Sequence, residues 1–275
     1  AMRTTIGSLK TVRLTSGNPD VALACTDILV AVAGLSRNWV ANTPPLPVDS
    51  VPETRDDLVA LLLALLVDDH YYHAPPVAGE MAAYPHLMSA DYLAAFWDLL
   101  EPELPALDGA SVLEVGPAEG TFSIALARRG ARVTAIERNI LMALRWIAFV
   151  VMNNVRSRVT ISVGAFDTVA PMLKLEPDIV LALGLIYHLE PLEANLELLV
   201  GYRKPIAFEF MAADPDTAFD PAAHCDTKPV PLPWLTAWLD ARGFRSTAVP
   251  AWNAAAAKYS GGAHTDRELL VAFPA

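Results

Sequence analysis

From residue 111 onward, short apolar runs alternate with amphipathic stretches, and that rhythm predicts a succession of strands and helices. Strands are expected at 112–115, 133–136, 159–163, 179–183 and 206–210, with helices between them. A helix at 232–241 then precedes two further strands, 244–249 and 268–273, which read as a closing antiparallel pair. The alanine cluster 254–257 is expected in a loop, and no internal repeat is visible.

The first hundred residues lack this alternation. Pro44, Pro45, Pro47 and Pro52 punctuate a linker, after which the wholly apolar stretch 58–67 reads as a helix with Glu53, Asp56 and Asp57 at its N-terminal end. A helix apolar all round must be buried on most sides, so it is expected under a lid, against the main domain or in a dimer interface. A second short helix at 93–100 is ended by Pro102 and Pro105. The expected division is an N-terminal, mainly helical extension over residues 1–105, serving as lid or dimerisation region, and a nucleotide-binding α/β domain over 106–275.

Candidate chemistry concentrates around the first predicted strand. An apolar run carrying Glu114 leads into a turn with Gly116 and Gly120, and a helix then begins with its N–H groups pointing back at the turn. Glu137 closes the next strand, where an acidic side chain can accept hydrogen bonds from two ribose hydroxyls. Together these features argue for an adenosine ligand. A dinucleotide is disfavoured, because Ala118 stands between the two glycines and Thr121 stands where the third glycine of Gly-x-Gly-x-x-Gly belongs.

Glu-Val-Gly-Pro-Ala-Glu-Gly at 114–120 resembles the acidic-x-Gly-x-Gly-x-Gly motif of class I S-adenosylmethionine-dependent methyltransferases, with Ala118 in place of the middle glycine. The resemblance implies a Rossmann-like, doubly wound α/β fold whose seven-stranded sheet has the order 3-2-1-4-5-7-6. It also implies S-adenosyl-L-methionine as cofactor. Gly184-Leu-Ile-Tyr-His-Leu-Glu-Pro191 is similar to a Gly-Val-Leu-Tyr-His-Leu segment of the family that includes the tRNA wobble-uridine (carboxy)methyltransferases and their small-molecule relatives. Tyr72 and His73, just before Gly79, resemble an aromatic-His element of the same family. The likeness covers roughly residues 70–275 and is strongest over 111–137 and 179–191.

The cofactor residues expected from motif and resemblance are Glu114, Gly116, Pro117, Ala118, Glu119, Gly120, Glu137, Arg138, Phe166, Asp167 and Leu183. Asp167 follows the third strand, where it can accept from an adenine amino group or cap a helix before Thr168, and Phe166 can cover the ring. The resemblance puts Tyr187 and His188 beside the transferable methyl group. By residue type His188 is the candidate base, since histidine ordinarily titrates near neutrality; a loop-orienting or cofactor-contacting His188 is the alternative. Tyr72, His73, Trp252 and Tyr259 are the candidate acceptor-binding residues.

Composition narrows the acceptor. The net charge of -11 opposes capture of a nucleic-acid backbone; Arg138, Arg145, Arg156 and Arg158 are the nearest thing to a local basic patch, and solvated helix and loop ends explain them as well. No Lys or Arg lies between His70 and His86, where the resemblance would require a cation for a carboxylated cofactor, so carboxymethyl transfer is disfavoured. A small-molecule acceptor, in specialised biosynthesis, is therefore expected. A tRNA-modifying relative and a non-catalytic cofactor-binding scaffold are the competing readings.

Only Cys25 and Cys225 are present, which suits a reducing, cytoplasmic setting. No basic segment followed by an apolar run opens the chain, and Ala1 ahead of Met2 reads as an added residue. The ten-residue run 58–67 is about half a membrane span, so no bilayer crossing is expected. Adjacent His224, Cys225 and Asp226 cannot all face one ion, and no metal site is expected. A homodimer through the extension is the oligomer this reading allows.

Overall fold

The computed structural model describes residues 90–225, 227–259 and 266–275, two short strands at Tyr71–His73 and His86–Met88, and residues 17–19, 22, 25 and 54. The expected helix at 58–67, the proline linker, Gly79 and Asp226 lie outside the described residues.

Seven strands form one sheet: β1 Ser111–Val115, β2 Arg132–Glu137, β3 Val159–Val163, β4 Ile179–Leu183, β5 Ile206–Met211, β6 Phe244–Ala248 and β7 Arg267–Pro274. Their order across the sheet is β3-β2-β1-β4-β5-β7-β6, the expected 3-2-1-4-5-7-6. The first five run parallel, and β7 lies antiparallel between β5 and β6. Each expected strand is present, with bounds moved by at most one residue.

Among the described residues the sheet is accompanied by the helices α1 Ala90–Leu100, α2 Thr121–Arg128, α3 Ile140–Met152, α4 Phe166–Leu173, α5 Leu192–Gly201, α6 Leu232–Asp240 and α7 Ala251–Tyr259. Period-two alternation divides the strand side chains between two cores. Val112, Val133, Leu181 and Leu269 pack with Phe96 of α1, Phe122 of α2, Trp146 of α3 and Trp252 of α7. Leu113, Ile136, Val180 and Phe208 face α4, α5 and α6 on the other side. No helix among the described residues is long and apolar enough to cross a membrane.

Three expectations are corrected. Residues 254–257 are helical, inside α7, because alanine is the strongest helix former and Trp252 and Ala256, one turn apart, are both buried. Arg145 is not a solvated helix end: it is 1% exposed and paired with the fully buried Glu119 at 3.4 Å. Asp167 does not cap a helix, since the cap position of α4 is Ala165 and Asp167 lies within the first turn. The extension also contains a feature beyond helices, because Tyr71–His73 pairs in parallel with His86–Met88.

Candidate cofactor and acceptor cavity

A cavity of about 400 Å³ opens where β1, β2, β4 and β5 end, the edge at which parallel α/β sheets bind ligands. The turn after β1 forms one wall. Gly116, Ala118 and Gly120 have φ of +69°, +50° and +82°, so the chain passes through the left-handed region at every second residue. Gly116 N–H donates to the Ile136 carbonyl at 2.9 Å, and Gly120 N–H donates to the Pro117 carbonyl at 2.8 Å. A Cβ on Gly120 would stand 2.2 Å from Trp146 Cδ1, so only glycine fits there. Ala118 adopts its left-handed conformation while carrying a Cβ, which is the local cost of lacking the middle glycine.

Glu137 lines the cavity at the end of β2 and is 6% exposed. Its Oε2 accepts from Ala118 N–H at 3.2 Å and its Oε1 from Asn139 N–H at 2.7 Å, which ties the two strand ends together. Burial raises its pKa, and the two backbone donors oppose that rise. Each carboxylate oxygen keeps a further lone pair for a ligand hydroxyl.

Glu114 has a different setting. It is buried beneath the turn, outside the cavity lining, where it accepts from Ser123 Oγ; Ser123 in turn accepts from Trp146 Nε1 at 2.8 Å. Burial pushes the Glu114 carboxyl up to about 7, with the Ser123 bond opposing and the Glu137 charge reinforcing the shift. Glu114 therefore braces α2 and α3 under the turn. Pro117, Glu119, paired with Arg145, and Gly120, packed against Trp146, are likewise part of the turn's support and do not line the cavity.

Arg138, Phe166, Asp167 and Leu183 all line the cavity, and Phe166 is buried while Asp167 is exposed. His188 lines it from the short turn Ile186–His188, its N–H donating to the Leu185 carbonyl at 2.7 Å. Its neighbour Tyr187 faces elsewhere. Tyr187 is 2% exposed and its hydroxyl accepts from Arg267 Nη1 at 2.9 Å, so it anchors the turn that presents His188. Trp252 lines the cavity, whereas Tyr259 stands at the exposed end of α7 away from it. Tyr72 and His73 lie in the first of the two short paired strands.

The cavity also holds residues that local motifs do not mark. Glu209, in β5, is 4% exposed and its Oε2 lies 3.3 Å from Arg267 Nη1. Burial raises its pKa, and the Arg267 charge opposes the rise. An acid inside the apolar run 206–211 is the signal that marks it, since buried carboxylates need partners. Tyr92 and Phe96 of α1 line the same region with Trp252.

No protein-family model and no curated protein matches this chain. Solved structures do match it as folds. An O-methyltransferase family protein from Burkholderia thailandensis aligns at 10% identity with a TM-score of 0.51, covering 68% of this chain and 57% of its own. The fold is that of the Rossmann-like methyltransferases. A Listeria monocytogenes protein described as an S-adenosylmethionine-dependent methyltransferase aligns at 14% identity and TM-score 0.50, covering 68% of this chain and all of its own. The bifunctional kinase-methyltransferase WbdD aligns at 17% identity and TM-score 0.52, covering 77% of this chain and 46% of its own. This chain thus spans little more than half the length of the Burkholderia protein and less than half of WbdD.

Proposed function

We propose that this protein transfers a methyl group from S-adenosylmethionine to a small-molecule acceptor. The observation that carries the reading is the convergence of Glu137, the left-handed residues Gly116 and Ala118, and His188 on one cavity. The donor set fits the cofactor: Glu137 would hold the ribose hydroxyls, the turn backbone the ribose and methionyl region, and Phe166 with Asp167 the adenine. When bound, S-adenosylmethionine supplies a methyl group activated on a sulfonium.

The chain's own residues then bind, orient and exclude water. Apolar walls from Phe96, Phe122, Leu185 and Trp252 keep solvent from the reacting region. Held by the Tyr187–Arg267 bond, His188 is presented to the acceptor side, where an imidazole nitrogen would take the acceptor's proton as the bond to carbon forms. The acidic net charge of -11 favours a small molecule over a tRNA acceptor. A role in specialised metabolism, a cytoplasmic setting and a dimer formed through residues 1–105 remain parts of this proposal.

Calorimetry tests the cofactor step: S-adenosylmethionine or its demethylated product should bind with micromolar affinity while NAD does not. NAD binding without sulfonium-cofactor binding would overturn it. Labelled-methyl transfer to candidate small molecules and to bulk tRNA then separates the acceptor classes, and transfer to tRNA alone would refute the small-molecule reading.

A further inference from the structure

Asn195 stands in the first turn of α5 on the buried face of that helix, in line with Leu192, Leu196 and Leu199, and is 3% exposed. A polar side chain in such a stripe is costly unless its atoms are used. One end of the amide is used locally. Its Nδ2 donates to the Pro191 carbonyl at 2.8 Å, the carbonyl that also accepts the Asn195 backbone N–H at 3.3 Å. That bond fixes which way the amide faces, because a carboxamide oxygen in place of Nδ2 would set two acceptors against each other.

The oxygen end is open. Asn195 Oδ1 accepts no hydrogen bond among the described residues, and it is not sealed in the interior, since Asn195 lines the cavity. An amide oxygen only accepts, so its partner on a ligand must be an N–H or O–H group.

Position in the fold decides which group. α5 packs against α4, and Phe166 at the start of α4 shares one apolar cluster with Leu189 and with Leu192 and Leu196 of α5. Phe166, Asp167, Leu189 and Asn195 all line the cavity. Asn195 therefore adjoins the end of the cavity proposed to hold adenine. Of the cofactor's donors, the ribose hydroxyls fall to Glu137 and the methionyl ammonium to the turn after β1, which leaves the amino group of the base. We infer that Asn195 is a specificity-determining residue that reads the adenine amino group, its Oδ1 accepting one N–H. The inference deepens the methyl-transfer reading and rests on it for the identity of the cofactor. Asp167 is exposed, where water competes for its hydrogen bonds, so the shielded Asn195 carries the larger part of the discrimination.

The probes are S-adenosylhomocysteine and its purine analogue, which has hydrogen in place of the amino group, and binding is measured by calorimetry. The wild-type protein should bind S-adenosylhomocysteine about 10-fold more tightly, the range expected when a buried acceptor loses its donor. Asn195→Leu matches the side chain in size and removes the acceptor, so S-adenosylhomocysteine should weaken about 5- to 30-fold while the analogue stays within about two-fold. Asn195→Ser keeps a hydroxyl that can donate to the Pro191 carbonyl one turn back but has no amide oxygen, and should lose the preference in the same way. Should Asn195→Leu fail to fold, Asn195→Ser decides.

Equal binding of the two ligands by the wild-type protein would overturn the inference and leave the cofactor reading standing. Equal weakening of both ligands in the Asn195 variants would overturn it too, since a residue that only braces α5 affects them alike. A preference that survives both variants and disappears in Asp167→Ala would hand the amino group to Asp167 alone and refute the role of Asn195. Binding of neither ligand by the wild-type protein would refute the methyl-transfer reading and this inference together, so the two failures are distinguishable.

Discussion

Replacing Glu114→Gln should make the protein more stable at pH 8 and leave it little changed at pH 5. The carboxyl is 2% exposed, and burial pushes it up to about 7 from an ordinary value of 4.5. The folded protein therefore keeps a proton that the unfolded chain gives up between about pH 4.5 and 7, and stability is lost as pH rises through that window. At about 1.4 kcal/mol per pH unit, that interval is worth about 3 kcal/mol, fully lost above pH 7. Glutamine carries no proton to lose, matches glutamate in size, and presents an oxygen to the same Ser123 hydroxyl. Urea unfolding of both proteins at pH 5, 6, 7 and 8 measures the difference directly. Burial also raises the pKa of Glu137, Glu209 and Glu268, but these contribute to both proteins and largely cancel in the comparison. Parallel stability curves, or a variant weaker than wild type at pH 8, would refute the assignment of Glu114 as a buried brace carrying a strained charge.

The same geometry bears on three further substitutions. Glu137→Ala should cost about 2–4 kcal/mol of cofactor binding by calorimetry, on the scale of two hydrogen bonds to a charged group, and a loss below three-fold would put the ribose elsewhere. Gly120→Ala should lower stability by about 2 kcal/mol or more, read as a drop of several degrees in Tm, because its Cβ meets the buried Trp146 indole; an unchanged Tm would show that the indole moves freely. His188→Ala should reduce kcat by about 10²- to 10⁴-fold with cofactor affinity within a few-fold, and His188→Asn should not restore it. Near-normal kcat would make His188 a positioning residue.

The sheet was largely legible because each of its strands is a short apolar run with turn residues on either side, and such runs are recognisable one at a time. Burial on both faces leaves little room for error in β1, β4 and β5, whose bounds agree with the sequence reading to one residue. The alanines at 254–257 were misread because low complexity suggests a loop, whereas packing of Trp252 against Tyr92 and Phe96 holds that segment as a helix. Arg145 was misread for a similar reason. Its partner Glu119 is 26 residues away, and only the return of α3 over the turn after β1 brings the pair together.

The two halves of the cavity differ in legibility for a physical reason. The proposed cofactor half is local: strand, turn and helix lie within 111–128, and Glu137 follows a fixed distance later because one helix and one strand must fit between. Backbone conformation dictates residue type there, so glycine spacing carries information. The half assigned to the acceptor is assembled from α1, β5, β7 and α7, whose contributions have no mutual spacing to detect. Even so, Glu209 leaves a trace, since period two puts it on the same face as Ala207, pointing into an apolar core where a lone carboxylate is untenable. Arg267 answers it from the adjacent strand, diagonally across the register in which Met211 opposes Arg267 and Leu269 opposes Glu209. A charged pair placed so deep contributes little net stability compared with apolar side chains of the same volume.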